Sequence, residues 1–196
     1  MAQEHSFATP GPASLGAFAV AVIGFGAVFL GQVTVFGLPI LAAWLMGGCL
    51  IQLVAAIMEL KDHNLTSGNV FLYFSGIFML AAALSTIAKF LMIVNNMKPD
   101  PTVEGYLWLA GTGFLVAMTP NYAKSNLFLF LIVLMADVSL LLIGFLDLGM
   151  IGATYKAVVG YLLMACGILS IYLIAASATN TFYGKSIFPV PPALIK

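Results

Sequence analysis

Six apolar stretches follow one another along this chain, at residues 15–36, 37–58, 68–94, 104–121, 126–147 and 153–177, with almost nothing ionisable inside them. A helix of about 20 predominantly apolar residues, rising 1.5 Å per residue, crosses about 30 Å of hydrocarbon. Nearly all six stretches reach that length, and the fourth is the shortest. The expected fold class is therefore an all-α membrane protein, a bundle of six transmembrane helices. Residues 1–14 read as an N-terminal tail, 15–178 as the membrane domain and 179–196 as a C-terminal tail. Connections this short leave no extramembrane domain to fold. With 62% hydrophobic and 7% charged residues and a mean hydropathy of +1.10, the composition excludes an ordinary soluble domain.

Charge excludes further classes. Seven Lys offset seven Asp and Glu, and Arg is absent, so the chain carries neither a nucleic-acid footprint nor a polybasic lipid-binding patch. Cys49 and Cys166 both fall inside apolar stretches, where a thiol packs as a small hydrophobe. The tail before the first helix holds Glu4 and His5 but no basic residue, unlike the n-region of a secretory signal. Counting Lys in alternate connections puts Lys61, Lys124, Lys185 and Lys196 on the side of the N-terminus and Lys89, Lys98 and Lys156 on the other. That asymmetry places both termini in the cytoplasm of a multi-pass cell-membrane protein.

Local signals agree with the helix boundaries. Pro39 suits the first turn of the second helix, where its missing N–H removes no helical bond. Pro99 and Pro101 break the loop after the third helix and Pro120 closes the fourth. Pro189, Pro191 and Pro192 predict an extended tail beyond Gly184. Small residues are dense in the first helix, with four-residue spacings at Ala17 to Ala21 and Ala27 to Gly31. They recur at Gly47, Gly48, Gly111, Gly113, Gly160 and Gly167. In lipid no hydrophobic force joins helices, so small side chains let backbones approach; such surfaces pack a bundle, join protomers or narrow a pore.

Polar residues inside the spans carry the functional information, because hydrocarbon tolerates them only where they face protein or water. Gln52 lies mid-helix in the second span, and Glu59 shares its face near the end, where an interfacial pair with a lysine is expected. Asp137 sits about ten residues from either end of the fifth span. It must be protonated, paired or wet, since an ionised carboxylate at the bilayer centre costs about 2.5–3.5 kcal/mol or more. It reads either as a satisfied structural hydrogen bond or as a titrating group in a transport path. Lys89 is a conceivable partner for it, or snorkels to the headgroups. His63 has no second ligand at useful spacing, so no metal site is indicated. No nucleophile–base–acid cluster, phosphate loop or haem ligand pair is present either. The residues alone give a small-solute channel or carrier that needs no cofactor and is not an enzyme.

Three segments resemble the acetate uptake transporter family, also known as succinate–acetate permeases. Gly11-Pro12-Ala13-Ser14-Leu15-Gly16 is similar to that family's Asn-Pro-Ala-Pro-Leu-Gly opening motif, retaining Pro12, Ala13, Leu15 and Gly16. Gly48, Gln52, Ala55, Ala56, Glu59, Lys61 and Asn64 resemble its second-helix run. Residues 166–173, with Asn180, Tyr183, Gly184, Lys185 and Pro189, resemble its sixth helix and tail. Gly11 and Ser14 replace an Asn and a Pro, and Val28 to Gly31 stand where the family has Asn-Leu-His-Asn, departures that bear on substrate more than on fold.

The resemblance implies a protomer with its own solute path, assembled as a homo-oligomeric ring, a hexamer, and moving acetate and related short carboxylates such as succinate or formate. It implies an apolar pinch at Val20, Phe74 and Leu134, with Tyr73 beside it, and Ser170 at a position that affects substrate range. Gln52 joins these as a path residue and Asp137 as a proton-coupling one. A urea or short-amide channel, with Trp44 or Trp108 lining a neutral slot, and a non-transporting scaffold or sensor are the alternatives.

Overall fold

A computed structural model describes residues 8–195; Glu4, His5 and Lys196 lie outside them. The six helices are α1 (Gly11–Phe29), α2 (Leu38–Lys61), α3 (Leu65–Val94), α4 (Thr102–Tyr122), α5 (Leu127–Asp147) and α6 (Tyr155–Tyr183). Five are long and apolar enough to cross a membrane. The fourth, α4, has the length, but Glu104, its glycines and the Pro120-Asn121-Tyr122 end dilute its hydropathy. It packs as the antiparallel neighbour of α5.

The helix ends follow local chemistry. α1 begins at Gly11, with Pro12 in its first turn, earlier than the apolar stretch alone indicates. It also stops sooner. Gly31 adopts φ +70°, and the amides of Gly31 and Gln32 bond back to Val28 and Ala27, a left-handed glycine termination. The Ala27 to Gly31 spacing thus ends a helix and does not pack one. A short 3₁₀ turn, Val35–Gly37, leads into α2, whose first turn contains Pro39. Asn64 caps α3 by accepting from the Ser67 amide, and Asn126 caps α5 by accepting from Leu129, each filling an otherwise orphan N–H. In the loop before α4, the Thr102 hydroxyl and then its amide, bonded to Asp100 at 2.6 and 3.0 Å, hold that carboxyl below the usual carboxylate range.

Sequence neighbours pack as spatial neighbours, and α6 closes on α1, so the helices form a ring. Two of its seams are backbone-close. A Cβ on Gly26 would stand 3.1 Å from the Gly160 carbonyl, and one on Gly160 would stand 3.1 Å from that of Gly26 and 2.6 Å from Leu30. Gly105 and Gly144 repeat this between α4 and α5, at 3.0 and 3.2 Å. Gly47 and Gly113 meet nothing, so not every small residue marks a seam. α3 meets α4 chiefly through aromatic side chains, with Tyr73 stacked on Phe114 at 4.0 Å and Phe78 on Trp108 at 5.6 Å.

The tail beyond Gly184 folds back. Asn180 accepts from the amides of Ile187 and Phe188 and donates to the Phe188 carbonyl, while the Tyr172 hydroxyl donates to Pro189. The Leu127 amide then bonds Pro191, and the Ile195 amide bonds Ala123. The extended segment predicted from its prolines is strapped across the end of the ring.

Candidate functional site

Two cavities enter the ring from opposite ends. The first, of about 370 Å³, opens where α2 turns into α3 and takes its walls from Leu15, Phe18, Gln52, Glu59, Ser67, Val70, Phe74, Leu115, Tyr122, Ile132, Val133 and Ala136. The second, of about 230 Å³, is lined by Phe18, Val22, Phe25, Phe29, Phe74, Phe78, Thr86, Lys89, Trp108, Ala136, Leu140, Ile143 and Asp147. Phe18, Phe74 and Ala136 border both. The Phe18 and Phe74 rings lie 5.7 Å apart, and Phe78 braces Phe74 edge-on at 4.5 Å. An apolar neck therefore separates two wider chambers, a shape that excludes water and ions by dewetting.

Phe74 begins a π-helical segment, Phe74–Ala81, inside α3. The segment is tied to α2 by the Ser75 hydroxyl, which bonds the Cys49 carbonyl at 3.1 Å, and by Met79 against Gly48. π turns are rare and recur at functional sites; here one sets the aromatic side chain that shapes the neck.

On the first-chamber side, Gln52 is 1% exposed. Its amide nitrogen donates to the Ser14 carbonyl at 3.3 Å, while Oε1 has no partner among the described residues. An unpartnered acceptor in a cavity wall is suited to a solute hydrogen-bond donor. Glu59 stands at the mouth. In place of the expected lysine, it accepts from Asn64 at 2.5 Å and Thr9 at 3.2 Å, which ties the start of the chain to the α2–α3 turn.

The sequence-derived site residues distribute unevenly. Phe74, Gln52 and Leu15 line the first chamber, whereas Pro12 lines a shallower groove beside it under the folded-back tail. Gly16 and Val20 lie in an outer groove between α1 and α2, with Val20 42% exposed; Leu134 is also 42% exposed. Ala13 is exposed as well. Tyr73 packs on Phe78 and Phe114 and lines neither chamber, and Ser170 is buried with its hydroxyl on the Cys166 carbonyl at 2.8 Å. Phe18, Ile132 and Ala136 stand in the path where sequence reasoning names Val20 and Leu134. Trp108 lines the second chamber, while Trp44 is 62% exposed in the outer groove.

Asp137 does not pair with Lys89. It lies between α4 and α5, with Oδ2 2.7 Å from the Thr119 hydroxyl and Oδ1 without a partner among the described residues. Lys89 sits toward the far end of α3 and bonds Glu104 in the first turn of α4. It lines the second chamber and does not reach Asp137.

The profile of the GPR1/FUN34/yaaH family matches residues 1–195. The chain belongs to that family. A solved structure of the bacterial acetate channel SatP shares the fold, with a TM-score of 0.81 at 21% identity, covering 94% of this chain and 99% of that one. Comparison with curated protein sequences finds no match. In this GPR1/FUN34/yaaH member, then, the six-helix fold is shared with SatP.

Proposed function

We propose that this chain conducts acetate and related short carboxylates across the cell membrane, with both termini cytoplasmic and one path through each protomer. The observation that carries the reading is the pair of chambers entering from opposite ends and meeting at Phe18, Phe74 and Ala136. Family membership and the acetate channel named for the similar fold support it. A short monocarboxylate has an apolar methyl and a compact carboxyl group. Apolar walls take the methyl, and the unpartnered Gln52 Oε1 can accept from the O–H of the protonated acid, a fit that a row of cations trapping the anion would not give.

Proton linkage and ring assembly extend the proposal. Asp137 in its hydrogen bond with Thr119 is the group assigned to proton coupling, because among the described residues it is the carboxyl group nearest the middle of a span. The outer groove around Gly16, Ala19, Val20 and Gly24 offers small side chains for protomer contact in a hexamer.

The deciding experiment is uptake of labelled acetate into proteoliposomes with and without an inward proton gradient, with succinate, formate and urea as competitors. Saturable uptake enhanced by the gradient is expected. No acetate movement alongside rapid urea equilibration would replace this reading with an amide channel.

A further inference from the structure

Of the side chains lining either chamber, Lys89 is the lone cation among the described residues. A lysine near a helix end in a membrane ordinarily snorkels outward. This one lines the second chamber, and Glu104, beside the chamber wall on α4, accepts from both its ammonium and the Ser85 hydroxyl. Ser85 and Lys89 are one turn apart on the same face of α3, and Thr86 and Trp108 complete that part of the wall.

The pair is not sealed. Side-chain exposures of 36% for Lys89 and 21% for Glu104 leave water in contact with both, and an ion pair so exposed holds weakly. Glu104 engages one of three ammonium protons. Asp147, which also lines the chamber, lies within electrostatic reach of Lys89, Glu104 and Lys156. Two cations and two carboxylates balance there, so the mouth attracts an anion locally without a net field that would retain it. The first mouth differs, for Glu59 lines it and, among the described residues, no lysine does.

We propose that Lys89 is the anion-capturing group of the second chamber. A short carboxylate displaces Glu104 from the ammonium on its way to the neck, and Glu104 retakes it when the solute leaves. The inference rests on the carboxylate-path reading and deepens it, by assigning the capture site to one mouth and one ammonium.

The test is the KM and maximal rate of acetate uptake in neutral-lipid proteoliposomes for wild type, Lys89→Gln, Lys89→Arg and Glu104→Gln, each at low and high ionic strength. Lys89→Gln is expected to raise KM roughly three- to tenfold and to flatten its salt dependence, because the attraction lost is a screened charge. Lys89→Arg should stay near wild type, and Glu104→Gln should lower KM by freeing the ammonium. Wild-type uptake with an unchanged KM in Lys89→Gln overturns this inference alone. So does a Glu104→Gln protein whose KM rises, since the pair would then be structural; this variant decides by itself if Lys89→Gln aggregates on size exclusion. Absence of acetate uptake by wild type overturns the functional reading and this inference with it.

Discussion

At the scale of single residues, Asp137 and Asn180 show how a polar side chain in an apolar chain is used. Thr119 Oγ1 lies 2.9 Å from the Leu115 carbonyl and 2.7 Å from Asp137 Oδ2, yet a hydroxyl has one proton to donate. An asparagine at 137 can donate to Thr119 and leave that proton for Leu115, so Asp137→Asn is expected to fold like wild type. If Asp137 couples proton and acetate movement, the variant's uptake should be equal at acidic and neutral pH while wild-type uptake rises in acid. Matching pH profiles in the two proteins would remove the coupling role. Asn180 satisfies three backbone groups of the folded-back tail. Asn180→Ala should therefore cost about 1–3 kcal/mol locally and release residues beyond 184 to limited proteolysis, with the six helices left intact. Unchanged protease resistance would show that Tyr172 and the Leu127 amide hold the strap without it.

At the scale of helices, the seams and the facing of each side chain were unequally legible. Span lengths were readable because hydrocarbon thickness sets them. The facing was not, because a helix with lipid on one side and protein on the other is apolar all round and gives no amphipathic phase. Val20 and Leu134 show the consequence. Each lies two residues from a chamber-lining position, Phe18 for one and Ile132 or Ala136 for the other, and two residues turn a helix by about 200°, to its opposite side. The π segment Phe74–Ala81 was nearly as silent: it contains no proline, and its one signal is Gly76 beside Ser75, a pair that weakens a helix without specifying a π turn. Glycine seams are partly legible: Gly160 is small for a reason that Gly47 is not, and only the partner helix distinguishes them. A valine at 160 would place its Cβ 2.6 Å from Leu30 and 3.1 Å from the Gly26 carbonyl, parting α1 from α6. Gly160→Val should lower the midpoint of thermal unfolding in detergent, whereas Gly47→Val should leave it near wild type. Equal midpoints for the two variants would mean that the α1–α6 seam adapts without cost.

At the scale of the whole molecule, the ring, the chambers and the apolar neck describe a path closed at one level and open to water on both sides of it. The two native thiols give this arrangement a direct test, because Cys49 and Cys166 are buried and line neither chamber, and thiols that no cavity reaches react slowly. Wild type is therefore a quiet background for a membrane-impermeant thiol reagent. Ser67 lines the first chamber and Thr86 the second. Ser67→Cys should be labelled only from the face that carries the α2–α3 turn, and Thr86→Cys only from the opposite face, which assigns each mouth to a side of the membrane. Labelling of either cysteine from both faces would mean that the neck does not close the path. Adding Phe74→Ala removes the ring that Phe18 and Phe78 pack against, and a widened neck should let the reagent reach Thr86→Cys from the Ser67 side. If that double variant keeps one-sided labelling while remaining folded, the barrier lies elsewhere than at Phe18 and Phe74. Acetate flux should rise and its selectivity over larger carboxylates fall in the same protein, because removing the aromatic ring enlarges the narrowest point without touching Gln52 or Lys89.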